Sequence, residues 1–174
     1  LGLALALYNT LTFEELAEGL YFEGVDPEYA TAENLAVVAY KAVLSKLGLP
    51  MPGLRISVQA EIPICRGLGS SAALIAAGAA GANANHGSPL TRAELLAVCN
   101  DIEGHPDNLA PAIFGGLVAS FVENERPYIA RYSLHTRLRC TALIPDFQLS
   151  THLARGGLPR EVPYGDAFLA VSGT

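Results

Sequence analysis

One stretch constrains this chain more than any other: Ile62-Pro63-Ile64-Cys65-Arg66-Gly67-Leu68-Gly69-Ser70-Ser71-Ala72-Ala73. An apolar strand pattern runs into it and an alanine-rich helix runs out, so the fold must set a strand end and a helix head either side of one tight loop. Gly67 and Gly69 free the backbone for turn conformations closed to residues with a Cβ. Ser70 and Ser71 stand where the helix begins, with unpaired backbone N–H groups behind them. Those donors, with the positive end of the helix dipole, make a site for an anion, most naturally a phosphate. A lone Gly-x-Gly reads as a turn capped by a serine; two serines, the preceding Pro63 and the long small-residue helix tip the reading to phosphate.

Strands and helices are expected on both sides. Residues 1–13 read as a strand already under way at the first residue, the mark of a piece of something longer, and 20–22 as a short edge strand. Residues 31–47 read as a helix, because Leu35, Val38, Ala39, Ala42, Val43 and Leu47 recur at helical spacing before Gly48 and Pro50 stop it. Residues 54–60 alternate apolar and polar, a half-buried strand. The helix after the loop is expected over 70–84, with Gly78 and Gly81 letting another element pack closely. Thr91, with Glu94 three residues on, is a capping box for a helix to about 102. Residues 103–108 interrupt it before further helical turns over 109–114. Strands are expected at 117–122, 128–134 and 138–144, a domain boundary at the polar turn 123–127, and a last helix capped by Asp166.

Composition excludes several functions. With 51% hydrophobic and 16% charged residues the chain is an ordered globular protein, long enough at 174 residues for one domain plus part of another. A net charge of −6 and the lack of any Lys/Arg run argue against nucleic acid as a partner. The apolar start is too short to span a bilayer, and Asn83, Asn85 and His86 stop the alanine-rich helix short of a span, so no membrane association is expected. Cys65, Cys99 and Cys140 are odd in number and widely spaced, which reads as free thiols in a reducing cytoplasm.

At this point the residues resemble a family. Pro-x-x-x-Gly-Leu-Gly-Ser-Ser-Ala, from Pro63 to Ala72, resembles the ATP-binding motif of the GHMP small-molecule kinases. The stretch Glu103-Gly104-His105-Pro106-Asp107-Asn108-Leu109-Ala110-Pro111-Ala112-Ile113-Phe114-Gly115-Gly116 is more specific and resembles the homoserine kinases. So do Leu1-Gly2-Leu3-Ala4-Leu5 and the run Thr151-x-x-Ala154-Arg155-x-x-Leu158-Pro159. The family's first motif, upstream of Leu1-Gly2-Leu3, and its third, glycine-rich motif are missing, so the chain resembles the middle of such a kinase. Leu109 stands where Val is usual, and Cys65 where a smaller residue is common.

The resemblance implies an α+β GHMP kinase fold in two parts. An N-terminal ribosomal-S5-domain-2-like α/β domain would bind nucleotide over residues 1–125, and a ferredoxin-like C-terminal domain would begin over 126–174. It implies ATP and Mg²⁺ as cofactors and L-homoserine as the substrate, phosphorylated on its hydroxyl on the way to threonine. The loop residues Pro63, Ile64, Cys65, Arg66, Gly67, Leu68, Gly69, Ser70, Ser71, Ala72 and Ala73 would hold the nucleotide, with Asn34 near the adenine. No Gly-Lys-Ser/Thr ending is present, so this is not the Walker loop.

A serine hydroxyl, from Ser70 or Ser71, and Glu103 would hold the metal. Glu103 closes a helix, where negative charge is disfavoured, and that mismatch supports a functional role. His105, Asp107 and Asn108 would line the homoserine pocket; read alone they are a polar helix-breaking turn. Arg155 would pair with the substrate carboxylate, for which a guanidinium fork is suited. No general base is assigned. The alternatives are another small-alcohol kinase, of mevalonate or sugar type, and a non-catalytic nucleotide-binding fragment. By itself the chain is expected to have little kinase activity and to associate through unburied apolar surface. The oligomeric state is left open, a homodimer among the options.

Overall fold

Alternating apolar and polar side chains fold residues into two small sheets, and helices cover one face of each. The computed structural model describes residues 1–135, 137–142, 144, 161–163 and 166. Its strands are β1 (Gly2–Leu3), β2 (Asn9–Leu16), β3 (Leu20–Glu23), β4 (Gly53–Ala60), β5 (Leu117–Glu123) and β6 (Arg126–Tyr132). Its α-helices are α1 (Leu35–Leu47), α2 (Ser70–Asn85), α3 (Arg92–Glu103) and α4 (Leu109–Phe114), with a 3₁₀ turn at Pro27–Tyr29.

The first sheet has the order β2-β4-β3, with β4 antiparallel to β2 and parallel to β3. Leu11, Phe13, Leu54, Ile56, Val58 and Phe22 join the core from one face. The other face is polar: Arg55 pairs with Glu14 at 2.6 Å, and the Ser57 hydroxyl donates to Glu23 at 2.9 Å. Glu15 lies on the inward parity and is matched to a partner. The fully buried Tyr40 donates its hydroxyl to Glu15 Oε1 at 2.5 Å and accepts from Asn85 Nδ2 at 2.9 Å.

Burial, and then the Glu15 hydrogen bond, hold the Tyr40 phenol well above its ordinary value. A folded-state value above the unfolded one stabilises below pH ~10, and that contribution is lost as pH rises further. Chemical denaturation should therefore show stability falling above pH ~10. Tyr40→Phe should flatten that fall while costing about 1–2 kcal/mol near neutrality, and an unchanged alkaline slope would reject this account.

The second sheet has the order β1-β5-β6, with antiparallel pairing throughout. Asn124 and Glu125 both take positive φ, 50° and 61°, as a tight two-residue hairpin turn requires. Residues 126–132, expected to open a second domain, pair with β5 along their whole length. Residues 1–13 are not one strand: β1 and β2 belong to different sheets, and residues 4–8 cross between them. Short apolar runs do not reveal such a change of sheet. The strand expected at 138–144 does not form among the described residues 137–142 and 144, which are exposed.

Val118 points from β5 into the core, whereas Phe121 and Tyr128 on the opposite face are 58% and 43% exposed, their rings stacked 5.3 Å apart. Tyr132 extends this apolar face, which is expected to drive association of the 174-residue chain. The double substitution Phe121→Ser, Tyr128→Ser should shift light scattering towards monomer at equal concentration; unchanged scattering would remove this face as the cause.

The central element is α2, which touches α1, α3, α4 and β2. It is apolar on all sides, as befits a buried helix, and among the described residues no helix is long and apolar enough to cross a membrane. Glycine brings neighbours close, as the spacing foretold: a Cβ at Gly78 would overlap the Ala36 backbone, and one at Gly81 the Phe13 ring. The capping box at Thr91 and Glu94 is present, and Gly48 closes α1 in the left-handed conformation. Burial pushes the Cys99 thiol up to about 12, so this cysteine is a core residue rather than a reactive one.

Candidate active site

The loop between β4 and α2 curls because Cys65, Gly67 and Gly69 all adopt left-handed φ, 56°, 73° and 74°. At Gly69, any substituent meets strain from the backbone angle, although the space itself is open enough for ordinary contact with Asn108. Gly69, not a serine, occupies the N-cap of α2, and no side chain caps the helix. Ser70 and Ser71 are the first helical residues. Among the described residues, the amides of Ile64, Cys65, Gly67, Leu68, Gly69, Ser70 and Ser71 donate to no protein group. A concave row of unpartnered donors at a helix head is an anion cradle.

Glu103 is the last residue of α3, and Gly104 ends that helix in the left-handed conformation. This places the carboxylate against the cradle: the Ser71 hydroxyl donates to Glu103 Oε2 at 2.6 Å, across 32 residues of sequence. A hydroxyl and a carboxylate oxygen in contact suit a hard cation such as Mg²⁺, which takes few protein oxygens beside phosphate and water. Among the described residues no group of three or more His, Cys, Asp or Glu side chains gathers.

Behind Glu103, His105 Nδ1 meets Asp107 Oδ1 at 2.6 Å, and the same oxygen accepts from the Asn108 amide at 3.1 Å. Asn108 stands at the N-cap position of α4 without a side-chain cap bond, next to Gly69. Asp107 is thus engaged in shaping the turn. Asn34 is committed too: its Oδ1 caps α1 by accepting from Ala36 N at 3.0 Å, and its Nδ2 donates to the Tyr29 carbonyl at 2.9 Å.

Two clefts flank the loop. One, of about 870 Å³, has the α2 residues Ala73, Ala76, Ala77 and Ala80 in its floor and reaches Asn108. The other, of about 740 Å³, is lined by Tyr29, Asn34, Val58, Ile64, Ser70 and Ser71 among others. The loop therefore separates an apolar-walled slot on the α1 side from a second space beside the turn after Glu103.

Residues 34–116, which contain the cradle, Glu103 and the turn, match the GHMP kinases N terminal domain. This segment belongs to the GHMP kinase N-terminal domain family. Homoserine kinases of Clostridium botulinum, strains Loch Maree and Alaska E43, are 41% and 40% identical to it, covering 100% and 95% of this chain. The chain spans only 59% and 56% of those curated relatives' length. A solved Listeria monocytogenes protein, provisionally named a homoserine kinase, aligns with a TM-score of 0.75 at 30% identity, over 98% of this chain and 58% of that one. The Methanococcus jannaschii mevalonate kinase shares the fold alone, with a TM-score of 0.56 at 19% identity over 74% of this chain and 47% of that one.

The GHMP kinase fold thus brings together the loop, Glu103, Asp107 and Asn108 from stretches far apart in sequence. Arg155, and the rest of the 151–159 run, lie outside the described residues. Sequence reasoning missed Asn9 and Tyr29 in the walls. Nothing in the sequence marked Asn9, or showed that Tyr29, closing the 3₁₀ turn at Pro27–Tyr29, would face a cleft.

Proposed function

We propose that the protein transfers the terminal phosphoryl group of ATP to the hydroxyl of L-homoserine, giving O-phospho-L-homoserine in threonine formation, as a cytoplasmic enzyme. The observation that carries this reading is the row of amides without an acceptor among the described residues, leading into the α2 head where Ser71 meets Glu103. The names of the homoserine kinases it resembles support the choice of acceptor.

In this reading the amides from Ile64 to Ser71 bind the ATP phosphates, and the purine occupies the 740 Å³ cleft beside Tyr29. Asn34 shapes that cleft through the Tyr29 carbonyl. Ser71 and Glu103, with Ser70 adjacent, hold Mg²⁺, which when bound neutralises charge on the phosphate oxygens. His105, Asp107 and Asn108 bound the acceptor side, and Arg155 pairs with the homoserine carboxylate. Asp107, hydrogen-bonded to His105 and to the Asn108 amide, is not assigned as a base; transfer rests on positioning and charge neutralisation. The division into a nucleotide-binding domain over 1–125 and the start of a second domain over 126–174 belongs to the same proposal.

The test is coupled ADP release by the full protein with homoserine, mevalonate and a sugar alcohol as acceptors. Turnover with homoserine alone supports the reading. A preference for an acceptor without a carboxylate removes the role of Arg155 and moves the protein to another branch of the family.

A further inference from the structure

Asn9 opens β2 and pairs with Ala60 on the last rung of the β2–β4 ladder. Beyond that rung the chain leaves the sheet for the cradle, and the Ile62 amide has no backbone acceptor among the described residues. The Asn9 side chain supplies one and reinforces the bond at Glu61. Its Oδ1 accepts from Glu61 N at 3.0 Å and from Ile62 N at 2.9 Å, the former shared with the Tyr8 carbonyl at 3.2 Å. The Glu61 carboxylate returns the contact by accepting from Tyr8 N at 3.2 Å. One carboxamide, supplied from 53 residues upstream, thus sets the direction in which the loop departs.

Past Ile62 most of the loop amides find no acceptor among the described residues. The amides of Ile64, Cys65, Gly67, Leu68 and Gly69 make no bond to the described residues. Their aim depends on how the loop is launched at Ile62 and received at the head of α2. Asn9 and Ile62 also line both clefts, so the clamp sits where the two spaces meet.

We infer that Asn9 is a positioning residue of the nucleotide site: its carboxamide oxygen holds the loop in the curve that aims the unpartnered amides at the phosphates. This rests on the proposal that the cradle binds ATP. Asn9 acts through the loop, by the two bonds its oxygen accepts from Glu61 and Ile62. The chemistry of the oxygen makes the inference separable from a general loss of structure. Asn9→Asp keeps an acceptor of the same reach and retains both bonds, whereas Asn9→Ala removes both.

The experiment compares the full protein with these two variants in two readouts. Hydrogen exchange over residues 61–69 without nucleotide reports the clamp. Calorimetric ATP affinity, alongside the homoserine KM, reports the site. Asn9→Ala should raise loop exchange and weaken ATP roughly tenfold, the loss of two backbone-to-side-chain bonds, with the homoserine KM changed less than about twofold. Asn9→Asp should restore both values. Should the alanine variant not fold, Asn9→Ser, with a shorter acceptor, takes its place under the same expectation. Parent-like loop exchange or parent-like ATP affinity in the alanine or serine variant overturns the inference, as does failure of aspartate to restore them. A parent that binds no ATP overturns the ATP reading instead, and the exchange data then still decide whether Asn9 holds the loop.

Discussion

Under the proposed function, replacing Glu103 with glutamine is expected to lower phosphoryl transfer to homoserine roughly a hundredfold or more, the scale of a metal's several-kcal/mol contribution. The amide oxygen of glutamine can still accept from the Ser71 hydroxyl, so the contact that joins α2 to α3 survives. What disappears is the negative charge that would hold the cation. The same substitution removes a carboxylate from the C-terminal end of α3, where the helix dipole opposes it. Thermal stability should therefore hold or rise slightly while activity collapses, a divergence that marks a residue kept for function. Turnover measured against Mg²⁺ concentration is the decisive assay, with excess Mg²⁺ expected to recover part of the loss. Parent-like turnover in Glu103→Gln would reduce the pair to a structural hydrogen bond.

Gly78→Ala carries the second large expected effect, this time on stability. In an exposed helix interior this change would gain up to about 1 kcal/mol, since glycine is a poor helix former. Here the new methyl overlaps the Ala36 backbone, which cannot swing aside as a side chain can. The two helices must part, and α1 and α2 carry much of the core between them, including Tyr40, Val43, Leu44 and Ile75. A loss of about 3 kcal/mol is expected, at the upper end for overpacking. Gly81→Ala is the internal control, because its methyl meets the half-buried Phe13 side chain rather than backbone, and should cost less. Urea denaturation gives both values from the midpoints at unchanged slope. A midpoint for Gly78→Ala at or above that of the parent would refute the close approach.

Much of this was legible from local signals, because those signals act locally. The capping box at Thr91, the glycine stop at Gly48 and the small-residue helix after the loop each depend on a few neighbouring residues. The cradle was legible for the same reason, although the cap proved to be Gly69, whose left-handed backbone leaves the serine hydroxyls free for other partners. The pairing of Ser71 with Glu103 was not visible in the spacing, since it depends on how α3 docks beside α2; the family resemblance pointed to Glu103 but left the choice between Ser70 and Ser71 open. Asn9 escaped both routes. Its role comes from register, and an asparagine at a strand head looks the same whether its side chain faces water or holds another strand's exit. The split of residues 1–13 between two sheets was hidden likewise, because periodicity records which face is apolar and not which sheet receives it.

The alanine floor of the larger cleft offers a handle for design. Its width is set by side chains that end at Cβ, on a helix already pressed against its neighbours behind. A longer side chain at Ala76 or Ala77 would have one direction to go, into the cleft. The same positions that make the space could therefore serve as a tunable plug, narrowing what is admitted by single methylene increments without touching the cradle or Glu103.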